Sequence, residues 1–133
     1  MIKSLAHLCF TVRDLNVSEA FYRDKLGLRT AFDFINDKGV RFGIYLHVGG
    51  RSFIELFQGK VGQPAADQTF KHFCLEVDDV AAAVKELRAK GVEVTDSKMG
   101  SDHSWQAWLA DPDGNKIELH GYTRESKQAP WVK

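Results

Sequence analysis

Lys71-His72-Phe73-Cys74-Leu75-Glu76-Val77-Asp78-Asp79 repeats an earlier stretch, Ala6-His7-Leu8-Cys9-Phe10-Thr11-Val12-Arg13-Asp14. With His72 set on His7, Cys74 falls on Cys9, Val77 on Val12 and Asp79 on Asp14. A second match follows in each half, Ser52-Phe53-Ile54-Glu55-Leu56 against Asn115-Lys116-Ile117-Glu118-Leu119. His7 and Glu55 are 48 positions apart, His72 and Glu118 46. The chain therefore reads as a tandem repeat of one supersecondary unit, each copy with a His near its start and a Glu near its end.

Working outward from the first His, Leu5 to Val12 alternates as a strand. His7, Cys9 and Thr11 take one face and Leu8, Phe10 and Val12 the other. Asn16 is expected to cap a helix to about Lys25, with Glu19 as its capping-box partner and Val17, Ala20 and Phe21 buried. Arg29 to Ile35 and Val40 to Val48 predict two strands around an Asn36-Asp37-Lys38-Gly39 turn, and Phe53 to Phe57 a fourth. Gln58 to Thr69, with Gly59, Gly62 and Pro64, reads as the connection between copies.

The second copy repeats the order. Phe70 to Val77 is a strand. Asp78 or Asp79 caps a helix through Lys90 that buries Val80, Val84 and Leu87. Val92 to Asp96 is a short strand, Lys98 to Asp102 a loop, and His103 to Ala110 a strand. Asp111-Pro112-Asp113-Gly114 is a type I turn before the closing strand Lys116 to Tyr122. The tail 123–133 shows no clear pattern. The fold class is α+β, with two tandem βαβββ modules: module 1 at about 4–58, a linker at about 59–69 and module 2 at about 70–122, all in one domain of 133 residues.

Parity assigns the faces. The apolar side of each first strand must meet the helix, because nothing else can bury it. The His side then lines a concave, partly polar face. A three-residue bulged hairpin at Pro112-Asp113-Gly114 would pair Trp108 with Glu118 and Gln106 with His120. Trp105, Ala107 and Leu109 are left for the helix side. In the first copy Phe42, Ile44 and Leu46 go to the helix side and Tyr45 to the Glu55 side.

The bulk numbers narrow the function classes. Eighteen basic and 18 acidic residues give zero formal net charge, which removes the electrostatic case for nucleic acid or a membrane surface. No apolar run is long enough to span a bilayer and the first residues do not open a signal peptide, so a cytoplasmic location is expected. The two cysteines are expected as thiols.

His7, Glu55, His72 and Glu118 together form a metal-ligand set. Imidazole with carboxylate suits one divalent first-row ion per site, such as Ni, Co, Zn, Fe or Mn. A pseudo-two-fold axis would bring the four to one point. Cys9 and Cys74 share the same face, as small strand residues or as groups of the site. Glu76 and His120 also point inward, to orient a ligand, touch substrate or meet solvent at the rim. Phe53, Phe57, Tyr45 and Trp108 make an apolar wall suited to a small-molecule pocket or to packing against a second subunit.

The chain resembles the vicinal oxygen chelate superfamily from His7 to about Tyr122. The residues that carry the resemblance are His7 to Asp14, Phe21-Tyr22 followed by Leu26-Gly27, His72 to Asp78, and Asp111 to Leu119. The resemblance implies paired βαβββ modules enclosing a cup-shaped half-barrel with a metal at its base. Within that superfamily His-Glu-His-Glu resembles glyoxalase I. This implies proton transfer next to a metal-bound carbonyl of a substrate with adjacent oxygens, with Glu118 as base and Glu55 assisting. It also implies a homodimer in which His7 and Glu55 of one chain meet His72 and Glu118 of the other. Glyoxalase I holds the glutathione carboxylates with an Arg four residues after the first His and an Asn four after the first Glu. Here those places are Thr11 and Gly59, so both expected glutathione anchors are missing. The rival readings are an Fe(II) extradiol dioxygenase, a thiol transferase of fosfomycin-resistance type and a metal-free drug-binding protein.

Overall fold

The computed structural model describes residues 1–132. It divides into two compact units, Met1–Gln63 and Pro64 onward. The division falls within the stretch read as the connection between copies.

The first unit contains β1 (His7–Val12), α1 (Leu15–Ala20), β2 (Arg29–Ile35), β3 (Arg41–Gly49) and β4 (Ser52–Gln58). Its sheet order is β1-β4-β3-β2, with β1 parallel to β4 and the other pairs antiparallel. Val12, Leu15, Tyr22, Ile44, Leu46, Ile54 and Leu56 form the core. These include the alternate residues that parity sends toward the helix.

The helix starts two residues earlier than the sequence predicts. Asp14, not Asn16, caps it, accepting from the backbone N–H groups of Asn16 at 2.9 Å and Val17 at 3.1 Å. A side-chain acceptor here satisfies N–H groups that lack an intrahelical partner. The buried stripe therefore runs Leu15, Ser18, Tyr22, and Val17 is exposed. Ala20 is also exposed and Phe21 half-buried. Glu19 is no capping-box partner; it accepts from Arg41 at 2.6 Å and Thr30 at 2.8 Å. After Ala20 the helix widens to a π-type turn over Phe21–Lys25, with Leu26 N–H donating to the Phe21 carbonyl. Phe42 is a second correction. It is exposed, and its ring stacks on Phe57 at 5.8 Å rather than packing under the helix.

The second unit contains β5 (Phe73–Glu76), α2 (Val80–Ala89), β6 (Lys98–Met99), β7 (Trp105–Ala110) and β8 (Lys116–Gly121). Its order, β5-β8-β7-β6, repeats that of the first unit, again with the first and last strands parallel. Asp79 caps α2 through the Ala82 N–H at 2.9 Å. Val80, Val84 and Leu87 are buried, as are Phe73, Ala107, Leu109, Ile117 and Leu119 of the strands. Two four-stranded mixed sheets, each with one helix between its first and second strands, make the predicted pair of βαβββ modules.

Two expectations fail on β6. The second strand of this unit is Lys98–Met99, read above as loop, and Val92 to Asp96 forms no strand. Thr95 explains the displacement. Its N–H donates to the Trp108 carbonyl at 3.0 Å, but its hydroxyl, not a backbone carbonyl, takes the Trp108 N–H at 2.9 Å. A side-chain acceptor in place of a carbonyl ends the ladder at one bond. The hairpin register is as read, with Trp108 opposite Glu118 and Gln106 opposite His120. Asp111 organises its turn, accepting from the N–H groups of Asp113 and Asn115 and leaving Gly114 at a φ of 85°. Of the three residues sent to the helix side, Ala107 and Leu109 are buried, but Trp105 is exposed at the end of its strand.

The tail is not patternless. Ser126 is buried and accepts from Thr123 N–H, while Lys127 N–H donates to the Asp102 carbonyl. The segment folds onto the 100–104 loop by hydrogen bonds, which leave no periodic hydrophobic signal.

Candidate functional site

The repeat places matched residues on matched faces. In the first unit β1 and β4 set His7 opposite Phe53, Cys9 opposite Glu55 and Thr11 opposite Phe57. β3 adds Tyr45 opposite Glu55. The Cys9 thiol is pushed up by burial, then by its hydrogen bond to Glu55 and the charge of that carboxylate. Around this pair the face is aromatic. Tyr45 lies edge-on to His7 at 5.7 Å and stacks on Phe53 at 4.9 Å and Phe32 at 4.7 Å. Phe57 packs on Phe34 and Phe42 and covers Gly43. Thr11 and Gly59 also meet. A Cβ at Gly59 would lie 2.9 Å from the Thr11 methyl, so the two positions are small because each fills the other's space.

The second unit carries the same frame with different chemistry. β5 and β8 set Cys74 opposite Glu118 and Glu76 opposite His120. His72 stands one residue before β5, and its Nε2 lies 3.1 Å from Glu118 Oε2. The other carboxylate oxygen, Oε1, is 3.1 Å from His120 Nδ1. Glu118 is 9% and His120 8% exposed, so this carboxylate is buried between two imidazoles. Trp108 meets His72 edge-on at 4.7 Å and takes the Lys116 ammonium over its ring at 4.5 Å. Cys74 keeps solvent contact at one side, yet its thiol is pushed up to about 12, first by desolvation and then by the charges of Glu118, Asp102 and Glu76. Tyr122 is raised as well, by burial and then Glu76.

These donors suit a divalent metal. Cys74, Glu118 and His120 each offer a ligand atom within 4.8 Å of the others. Imidazole, carboxylate and thiol are the ligand types that zinc and its neighbours take. His72 brings a further imidazole to the same carboxylate.

Two participants escaped the sequence. Asp102 Oδ2 lies 3.5 Å from His120 Nε2, and Gln128 from the tail donates to that oxygen at 2.6 Å. Neither sits on a periodic element, so no pattern marks them. Lys116 could have been found, because strand parity places it on the Glu118 face.

The family described as "Glyoxalase/Bleomycin resistance protein/Dioxygenase superfamily" matches residues 4–119. The chain is 34% identical over 123 residues to the lactoylglutathione lyase of Salmonella typhimurium, covering 86% of this chain and 90% of that one. It is 30% identical over 124 residues to the glutathione transferase FosA of Serratia marcescens, covering 90% and 82%. The crystal structure of SMU.1112c superposes with a TM-score of 0.80 at 25% identity, over 90% of this chain and 99% of that one.

Proposed function

The chain belongs to the glyoxalase, bleomycin resistance protein and dioxygenase superfamily, and on that premise we propose that it is a metal-dependent lyase or isomerase of glyoxalase type. It moves a proton next to a carbonyl of a small substrate with adjacent oxygens. The observation that carries this reading is the buried Glu118 carboxylate, with one oxygen 3.1 Å from His72 and the other 3.1 Å from His120.

His72 and Glu118 in one module, and His7 and Glu55 in the other, would hold the ion, with Cys74 and His120 as neighbours of the Glu118 carboxylate and not as ligands. A bound divalent ion would act as a Lewis acid on the substrate carbonyl and so acidify the neighbouring C–H. Glu118 accepts that proton. Its burial shields it from bulk water. Glu55, with the Cys9 thiol donating to it, assists. Tyr45, Phe53 and Phe57 pack the apolar part of the substrate, and Trp108 flanks His72. Each module supplies half of the ligand set, so two modules must face one another, within one chain or across a two-fold pair of chains. The relative named as a lactoylglutathione lyase supports the class of reaction. The Thr11–Gly59 contact argues against glutathione itself, since no long polar side chain fits where its carboxylates would be held.

The relative named as a glutathione transferase favours a second reading, thiol addition to a small electrophile. One experiment separates the two. The protein, loaded with Ni, Co, Zn or Mn, is incubated with 2-oxoaldehydes in deuterated water, with and without added thiol. Deuterium at the carbon beside the carbonyl, lost in Glu118→Gln, supports proton transfer. Thiol consumption with epoxides and no exchange with any carbonyl substrate supports the transferase. Oxygen uptake with catechols on iron-loaded protein, with neither of those signals, overturns both.

A further inference from the structure

We propose that His120 and Asp102, clamped by the C-terminal segment, are positioning residues that fix the orientation of the Glu118 carboxylate. The inference rests on the reading of Glu118 as a metal-centre residue. A carboxylate turns about a broad, roughly two-fold terminal torsion, so burial alone does not decide which oxygen faces His72. His120 decides it. A carboxylate only accepts hydrogen bonds, so Nδ1 carries the proton and donates to Oε1 at 3.1 Å. Oε2 is left toward His72.

The far side of the His120 ring is bounded by Asp102. Its Nε2 is buried with no hydrogen-bond partner of good geometry, and the group it faces is Asp102 Oδ2 at 3.5 Å. Asp102 is fixed from two sides. Ser104 N–H donates to Oδ1 at 3.2 Å and Gln128 Nε2 to Oδ2 at 2.6 Å. The Gln128 amide is the main reason its carboxyl sits below the ordinary value. The loop bearing Asp102 passes through His103 at a φ of 62°. The His103 carbonyl so turned accepts from Thr123 Oγ1 at 2.8 Å and Ser126 Oγ at 3.0 Å. The Lys127 N–H bond to the Asp102 carbonyl closes the clamp. His120 and the segment after it lie past residue 119, where the family match ends. The first module has Phe57 where the second has His120, so Glu55 has no such support. The clamp gives the tail a role at the metal centre and makes the two carboxylates unequal.

The outer partners of metal ligands are worth roughly 10–100-fold in metal affinity, and that sets the test. Metal-free full-length protein is titrated calorimetrically with Zn2+ or Ni2+ alone, alongside thermal unfolding of the metal-free forms. Asn carries its N–H donor where His carries Nδ1, whereas Gln carries its donor near the Nε2 position. His120→Gln and His120→Phe should lose roughly 10–100-fold in affinity, His120→Asn should recover most of it, and Gln128→Ala should lose less in the same direction. A purely structural His120 would shift the metal-free unfolding midpoint without separating Asn from Gln. If His120→Asn and His120→Gln bind metal equally while Glu118→Gln is impaired, the positioning role is wrong and the metal-centre reading stands. If Glu118→Gln binds metal as tightly as wild type, the metal-centre reading is wrong and this inference falls with it. Should His120→Phe fail to fold, the Asn and Gln pair still decides.

Discussion

The two modules share a frame and differ in what they mount on it. Glu55 and Glu118 occupy the same place, each opposite a cysteine on the first strand of its unit. Glu55 looks onto an aromatic face of Tyr45, Phe53 and Phe57. Glu118 sits between His72 and His120, with Asp102 behind. The decisive exchange is Phe57 against His120, with its cross-strand neighbour changing from Gly43 to Gln106. Where the ring is phenyl, the neighbour has no side chain and the ring lies over its backbone. Where the ring is imidazole, a polar side chain stands opposite and the Asp102 carboxylate lies 3.5 Å from the far nitrogen. Duplication supplies two equal frames. A few residues then make one a wall for apolar matter and the other a seat for charge.

The largest effects should show where the modules are most alike. Leu56 and Leu119 follow the two glutamates and are 0% and 2% exposed. Leu56→Ala and Leu119→Ala should each cost about 2–5 kcal/mol, the usual range for truncating a buried leucine, read as the denaturant midpoint of the metal-free protein. A cost below about 1 kcal/mol in only one of them, outside that range, would break the equivalence of the two cores.

An intermediate effect should appear where they diverge. A Cβ at Gly43 would stand 2.5 Å from Phe57 Cδ1 and 2.9 Å from the Leu56 carbonyl oxygen. Gly43→Ala should destabilise by about 1–3 kcal/mol, as overpacking does. Phe57→Leu in the same chain should return part of that loss, a non-additivity measurable in a double-mutant cycle. Strict additivity would mean that the phenyl ring does not impose the glycine.

The smallest effect is electrostatic and confined to the first unit. Burial works to raise the Glu19 carboxyl, but the hydrogen bonds and charge of Arg41, with Thr30, outweigh it and hold it below its ordinary value of 4.5. A carboxylate depressed in the folded state stabilises above its unfolded value, and that contribution is lost as pH falls through the folded one. Arg41→Gln should therefore cost up to about 1 kcal/mol at neutral pH, and its stability should converge on that of wild type in acid. Parallel curves across the acid range would show that Arg41 works through packing alone.

The sequence by itself determined the repeat, the strand order within it, the faces of β1, β4, β5 and β8, and the hairpin register at Asp111 to Gly114. All of these follow from side-chain periodicity and turn chemistry, which are local. It also put forward His7, Glu55, His72 and Glu118 as the proposed ligands, because the motif that carries them is stated twice. Only the tertiary structure decided the rest. Asp14 wins the cap from Asn16 because Asn16 lies inside the helix, and Arg41, which comes later in the chain, claims Glu19. β6 moves to Lys98–Met99 because Thr95 offers a hydroxyl to Trp108. Asp102, His103 and Gln128 reach the Glu118 side through hydrogen bonds that cross twenty or more positions of chain. Such bonds depend on where separate segments meet in space, and a linear pattern holds no record of that meeting.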